Sequence, residues 1–513
     1  MSRQKFREIS PSEFFYRHRE IVGFTNPARA IYTSIREFVE NSLDAAEAIG
    51  VPPDIHVSLI QAEEFDFEVY RLRVEDNGSG IPGEYIPYAF GRILYGSKHT
   101  LKQMRGIFGL GGKMAILYGQ ITTNRPAHII SSTGGMDIYE YRLLIDVEKN
   151  SPIIVEEKVH RNGSPRWRGT VIEIFLEGDY QRSSSKVLEY FKETAMANPY
   201  AEISFIDPYG MLYMFKRSTR KLPPASREVQ PHPHGVDVET LRRMVNSTDC
   251  RTLKEFLVKN FHRVGEATAD KFLKAYNLDP YRDPSDLTAG EIVDLAYALK
   301  NFDEFLPPDP SCLSPLGEEL LLEGVRKELN PEFAVAVQRK PSAYSGYPFI
   351  VEVALAYGGD VPRTGRITLY RFANKIPLLY DESSDVSWKV VNQIIDWRHY
   401  KVDPANDPVA VVVHICSTRI PYRTLGKEFI ADRPEIEAEI TRAVRMAARK
   451  LADYLSRKRR VERAKEYFSI YEKYLRRIAR FSSMLTGRDE PDISKLLRRV
   501  KRWKGLKNME EAL

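Results

Sequence analysis

Glu37 and Asn41 stand four residues apart in the stretch Glu37-Phe38-Val39-Glu40-Asn41-Ser42-Leu43-Asp44. On a helix that spacing returns both to one face, with Asp44 close by. A carboxylate there can polarise a water, and a carboxamide oxygen can ligate a hard cation such as Mg2+. A second cluster is Glu75-Asp76-Asn77-Gly78-Ser79-Gly80. Asp76 closes a strand-like run and can accept a hydrogen bond from an exocyclic amine, while Gly78 and Gly80 let the backbone approach a flat ring. A third is Arg105-Gly106-Ile107-Phe108-Gly109-Leu110-Gly111-Gly112-Lys113-Met114. Its glycines can aim backbone N–H groups at phosphate oxygens, helped by the start of a short helical run over 114–118. Ile107 and Met114 exclude a Walker A loop, and no strand leads into it as a Rossmann fingerprint requires. The fourth is Arg168-Gly169-Thr170, with the Thr170 hydroxyl expected to support Asp76. Each alone is ordinary: a solvated face, a tight turn, a glycine-rich loop, a strand start.

The surrounding elements can position these groups. Residues 26–48 read as one amphipathic helix with Ile31, Ile35, Phe38 and Ser42 on its apolar face. Residues 55–60, 70–74 and 171–176 alternate as strands do. Residues 1–24, with Phe14, Phe15 and Tyr16, look like an arm rather than a core element. Proline-rich breaks at 222–224 and 231–235 end this region. Four short helices are expected over 236–246, 252–261, 265–276 and 288–302. A second α/β region follows, with strands at 349–356, 366–372 and 409–416 and a helix at 385–397. A long helix runs over 434–485, closed by Gly487. Its Tyr467, Tyr471, Tyr474, Ile478, Phe481 and Leu485 form a narrow apolar seam. A short last helix carries Ile493, Leu496, Leu497, Val500 and Trp503 on one side.

The order of the four clusters resembles the motifs of the GHKL ATPases. That resemblance, over residues 20–220, implies an α/β Bergerat fold: a mixed sheet backed by helices, with ATP under a glycine lid. It implies Glu37 as general base, Asn41 as Mg2+ ligand and Asp76 with Gly78, Gly80 and Thr170 around adenine. Gly106, Ile107, Phe108, Gly109, Leu110, Gly111, Gly112 and Lys113 would wrap the phosphates, and Ser97 and Lys98 would also lie near the nucleotide.

The second α/β region carries 371–380, with Asn374-Lys375, and 421–428, with Gly426-Lys427-Glu428. Both resemble the transducer domain of the ATP-binding subunits of type IIB DNA topoisomerases. The resemblance implies an arm (1–24), a GHKL ATPase domain (25–228), a helix–two-turns–helix insert (229–306), a transducer with its long helix (307–470) and a basic tail (471–513). It makes Lys427 the switch lysine on the γ-phosphate, and it makes the arm embrace a second copy in an ATP-dependent B–B dimer. Cleavage of double-stranded DNA would belong to a separate A subunit, docked on the tail in an A2B2 heterotetramer. The nearest enzyme alternative, a type IIA ATPase subunit, should carry an acidic cleavage domain after the transducer. A mismatch-repair ATPase needs no helical insert, and an ATP-regulated chaperone or scaffold would relax no DNA.

Charge and composition fit that expectation. The net charge is +6, yet from Thr441 onward 22 Lys/Arg face 9 Asp/Glu, so the preceding region is net acidic. Such a basic tail suits nucleic acid phosphates or an acidic partner. Cys250, Cys312 and Cys416 are few and scattered, which argues for a reducing, cytoplasmic setting and against a cysteine zinc site. Neither a secretory leader nor a membrane span is expected.

Overall fold

The computed structural model describes residues 9–65, 67–96, 101–106, 109–424 and 426–503. The first unit runs through α1 (Pro11–Arg17), α2 (Pro27–Ala48), β1 (Asp54–Gln61), β2 (Val69–Asp76), α3 (Ile86–Gly91), α4 (Gly111–Thr123), β3 (Ala127–Thr133), β4 (Asp137–Asp146), β5 (Ser151–Arg161), β6 (Arg168–Glu177), α5 (Tyr180–Ala197), β7 (Glu202–Ile206) and β8 (Leu212–Phe215). Its sheet has the order β5-β4-β3-β6-β2-β1-β7-β8. Neighbours are antiparallel except β1 and β7, which are parallel. In β2 the apolar residues Tyr70, Leu72 and Val74 point inward, and the same alternation leaves Asp76 facing the helices. Helices α2, α4 and α5 cover that face and close one core with Ile31, Ile35, Phe38, Leu117 and Phe191.

The expected arm differs in its described part. Ser10 caps α1 by accepting from the Glu13 N–H at 3.0 Å, and Ser12 donates to Asn150 at 2.7 Å. Phe15 and Phe24 join the core of the same chain. Phe15 and Phe24 are therefore packing groups, each buried ring worth about 1.5–3 kcal/mol, whereas Phe14 and Tyr16 stay exposed.

A helical block follows: α6 (Val238–Ser247), α7 (Leu253–Asn260), α8 (Glu266–Ala275) and α9 (Ala289–Asn301). It has its own core around Leu241, Phe256, Phe272 and Leu299. Asp237, Thr252 and Thr288 cap α6, α7 and α9, the last with a capping box to Glu291.

The second α/β unit contains α10 (Gly317–Leu329), β9 (Phe333–Gln338), β10 (Ser342–Tyr344), β11 (Tyr347–Tyr357), β12 (Thr368–Ala373), β13 (Ile376–Pro377), α11 (Val386–Lys389) and β14 (Val409–Ser417). The sheet order is β10-β11-β14-β12-β13, with β9 on β11 and β12 parallel to β14. Strand β14 is buried throughout, as a strand covered on both faces should be. The early turns of α12 (Pro434–Thr486) cover one face through Ile440, Val444 and Leu451. Helix α10 and the end of α5 cover the other, so one apolar cluster joins the two units. The helix expected at 385–397 is broken: α11 passes into a π turn at Val390–Ile394 and a 3-10 turn at Trp397–Tyr400. Sequence periodicity missed α10, β9 and β10. Beyond residue 464, α12 bares its seam, with Tyr474, Ile478 and Phe481 each more than half exposed. Gly487 ends it in the left-handed conformation, and α13 (Ser494–Trp503) follows. Among the described residues no helix is long and apolar enough to cross a membrane.

Candidate active site

Helix α2 is the wall on which the site is built. Asn26 caps it, accepting from the Arg29 N–H at 2.9 Å, and Pro27 occupies its first turn. The inward stripe of Ile31, Ile35 and Phe38 fixes its rotation. Glu37, Glu40, Asn41, Asp44 and Glu47 are thereby turned toward the other elements of the site.

Asp76 lies beside α2 at the end of β2 and is 8% exposed. Its Oδ1 accepts from the Gly78 N–H at 2.9 Å and the Thr170 N–H at 3.2 Å, and its Oδ2 accepts from the Ser42 hydroxyl at 2.8 Å. Burial raises the Asp76 pKa, and these three hydrogen bonds oppose the rise. The expected support by the Thr170 hydroxyl is corrected. That hydroxyl meets Ser131 Oγ at 3.0 Å, and the supporting hydroxyl is Ser42, which helical spacing had grouped with apolar residues. Gly80 has φ +65°, and a Cβ there would lie 2.0 Å from the Ser132 carbonyl oxygen, so only glycine fits.

The glycine segment enters α4 earlier than its apolar run suggested. Gly111, Gly112 and Lys113 are first-turn residues, preceded by Leu110 at the N-cap. Their N–H groups lie at the start of the helix, ahead of its regular hydrogen-bond ladder. Gly111 abuts Glu37, where a Cβ would fall 1.7 Å from Oε2, and Gly112 packs near the Asn41 carboxamide. Gly106 and Gly109 are described, whereas Ile107, Phe108, Ser97 and Lys98 lie outside the described residues. The Lys113 ammonium is buried and donates to the Tyr95 carbonyl.

Lys427 arrives from the second α/β unit and is 7% exposed. Its Nζ lies 3.3 Å from Glu40 Oε2 and 3.8 Å from Glu37 Oε1. Burial disfavours its charge, but Glu37 and Glu40 outweigh burial and raise its pKa. Glu40 is raised in turn by burial, against the pull of Lys427. Arg36 donates to Glu37 at 2.7 Å and to the Gly426 carbonyl at 3.1 Å, and Arg29 pairs with Glu428. The loop thus docks along one stripe of α2. Glu40, three residues after Glu37 and so close to the same face, was not singled out from the sequence, yet it is the carboxylate closer to Lys427.

A cavity of about 1100 Å³ opens beside these groups. Asn41, Asp44, Gly80, Gly112 and Lys113 line it, and it continues to Arg105, Glu47, Asn374 and Lys375 between the two units. Asp76, Glu37 and Lys427 are not among its lining residues. Among the described residues no group of three or more His, Cys, Asp or Glu is placed to hold a metal. A cation here would rest on Asn41 and on oxygens brought by a ligand, a donor set that suits Mg2+ with phosphates.

Comparison with known proteins matches both units. The family described as histidine kinase-, DNA gyrase B- and HSP90-like ATPase matches residues 26–177, and that described as topoisomerase VI B subunit, transducer, matches residues 308–467. The N-terminal domain of a DNA repair protein covers 86% of this chain and 98% of its own at 13% identity and TM-score 0.41, too loose a likeness to build on. Much nearer is the B subunit of type 2 DNA topoisomerase 6 from Metallosphaera sedula, 46% identical over 94% of this chain and 91% of that one. Its counterpart from Sulfurisphaera tokodaii is 44% identical over 96% and 93%. With both units matched and near-complete coverage, the chain belongs to the family of type 2 DNA topoisomerase 6 B subunits.

Proposed function

We propose that the chain is the ATP-binding and hydrolysing subunit of a type IIB DNA topoisomerase. ATP-driven B–B dimerisation gates passage of one duplex through another, and the topoisomerase VI A subunit cuts the DNA within a cytoplasmic A2B2 heterotetramer. The observation that carries this reading is Lys427, a cation of the second unit buried against Glu37 and Glu40 of the helix that bears Asn41.

Asp76 accepts the exocyclic amine of adenine. Three donors already fix its carboxylate, and Oδ2 retains a lone pair. Gly78 and Gly80 admit the ring, and the N–H groups of the first turn of α4 meet the phosphates. Bound Mg2+ would neutralise phosphate charge, with Asn41 as its protein ligand. Glu37 takes the proton as a water oxygen attacks the γ-phosphorus and the bond to the β-phosphate oxygen breaks. Lys427 exchanges Glu40 for the γ-phosphate, so its position reports whether that phosphate is present.

The bared seam of α12 docks the DNA-cutting A subunit, and the basic tail touches DNA phosphates without base reading. A mismatch-repair or chaperone ATPase is less favoured, because the second unit matches a topoisomerase VI transducer. The test is ATP-dependent relaxation of supercoiled plasmid by the full chain together with the A subunit. Wild type should relax the plasmid and Glu37→Ala should not. Equal relaxation by both would defeat the assignment of Glu37, and none by wild type would defeat the function.

A further inference from the structure

A second lysine of the transducer region also reaches α2. Strands β12 and β13 pair Ala373 with Ile376, leaving Asn374 and Lys375 as a two-residue turn. Both have positive φ, +48° and +68°. Such turns favour Asn followed by Gly, so a lysine in the second place holds an unfavourable conformation. Strain of this kind persists where surrounding contacts hold it.

Those contacts are specific. The Lys375 ammonium is buried, 2.7 Å from Glu47 Oε2 and 3.3 Å from Ser314 Oγ. Its backbone N–H donates to His414 Nε2 at 3.1 Å, which leaves Nδ1 as the donor to Glu352 at 2.7 Å. Glu352 in turn accepts from the N–H groups of Leu316 and Gly317 at the start of α10. Thus the turn is anchored on the centre of the second sheet.

Its other side holds the stem of the glycine segment. Arg105, fully buried, joins Glu47 at 2.5 Å, Asp44 at 2.9 Å and Asn198 at 2.6 Å. The Asn374 carboxamide donates to the Met104 carbonyl at 3.2 Å. Gln103 donates to the Ser314 carbonyl and accepts its N–H, and Val229 N–H donates to the Leu101 carbonyl. Through Gln103 and Met104 the stem is stitched to the second unit directly, without Lys427.

We propose that Asn374 and Lys375 are positioning residues for the nucleotide site: a fixed strut that sets the stem at 101–105, and the Asp44 end of the cavity, on the second α/β unit. This rests on the ATP-site reading above. Lys375→Gly tests it, because glycine suits the turn while removing the ammonium; Lys375→Arg keeps a cation.

The readouts on the full chain are amide hydrogen exchange over 101–106, the KM and kcat for ATP, and the thermal midpoint. Lys375→Gly should speed exchange over 101–106 and raise KM about tenfold, with kcat within about twofold of wild type, and Lys375→Arg should recover most of both. Unchanged exchange and KM in Lys375→Gly would overturn the strut. So would accelerated exchange spread over the whole chain with a collapsed midpoint, the mark of a merely structural group. Wild type that fails to bind ATP would sink the nucleotide reading instead, an outcome distinct from either.

Discussion

Lys427 and Lys375 invite comparison. Both come from the second α/β unit, both are buried, both have left-handed backbone, and both end on carboxylates of α2. Glu40 and Glu47 stand seven residues apart, about 10 Å along the helix at 1.5 Å per residue. The surroundings differ. Lys427 lies between two carboxylates at 3.3 and 3.8 Å, whereas Lys375 meets one at 2.7 Å inside a closed polar network. Glu37 and Glu40 raise the pKa of Lys427, while burial, with Arg105 nearby, lowers that of Lys375 against the pull of Glu47. On the proposals above, the first contact is traded for a phosphate and the second is a joint. A gate needs both, since a moving cation transmits displacement only if another point on the same helix stays fixed.

The largest effect should come at the moving end. Glu37→Gln in the full chain, assembled with the A subunit, should lower the ATP hydrolysis rate by about 10²–10⁴-fold while ATP still binds. A drop under tenfold would remove Glu37 from proton transfer. Lys427→Met should cost about 10–100-fold in hydrolysis, the worth of one charge-assisted contact to phosphate, with little change in thermal midpoint. A midpoint collapse with normal hydrolysis would make Lys427 the structural lysine and reverse the comparison.

The fixed end should show in stability and pH. Burial would raise the Glu47 pKa, but Arg105 and Lys375 hold it at about 2. A carboxylate depressed on folding contributes stability above its unfolded value, near 4.3, and loses it as pH falls toward the folded value. Glu47→Gln should therefore be less stable at neutral pH by on the order of 3 kcal/mol, and chemical denaturation should show the gap closing between about pH 4 and pH 2. A gap that does not vary with pH would mean the ion pairs are not its source. The smallest effect belongs to adenine: Ser42→Ala should weaken ATP binding by about 1 kcal/mol in calorimetry, the worth of one hydrogen bond, leaving Lys427 and Lys375 effects unchanged. No loss of affinity would show that Ser42 does not orient Asp76.

The groups proposed for the moving end can be named from the sequence. Glu37, Asn41, Asp76 and the glycine segment are local motifs, and Lys427 sits in a recognisable stretch. Those of the strut cannot. Glu47, Arg105 and Lys375 are far apart in the chain, and no local spacing links them. Arg105 directly before the glycines was the one available cue. Ser42 was misread for a reason that recurs: helical periodicity assigns a face but not what that face meets, and here the apolar stripe ends beneath a carboxylate. The Thr170 error is similar, since a hydroxyl before a strand suggested the side chain where the backbone N–H makes the bond. Phe15 and Phe24 likewise gave no sign of which core they would enter.

The most direct measurement is the structure of the full chain bound to a non-hydrolysable ATP analogue and Mg2+. Lys427 Nζ should lie about 3 Å from a γ-phosphate oxygen and off Glu40, with the Lys375–Glu47 and Arg105–Glu47 pairs unchanged. Lys427 still on Glu40 beneath a bound γ-phosphate, or Lys375 parted from Glu47, would contradict this arrangement.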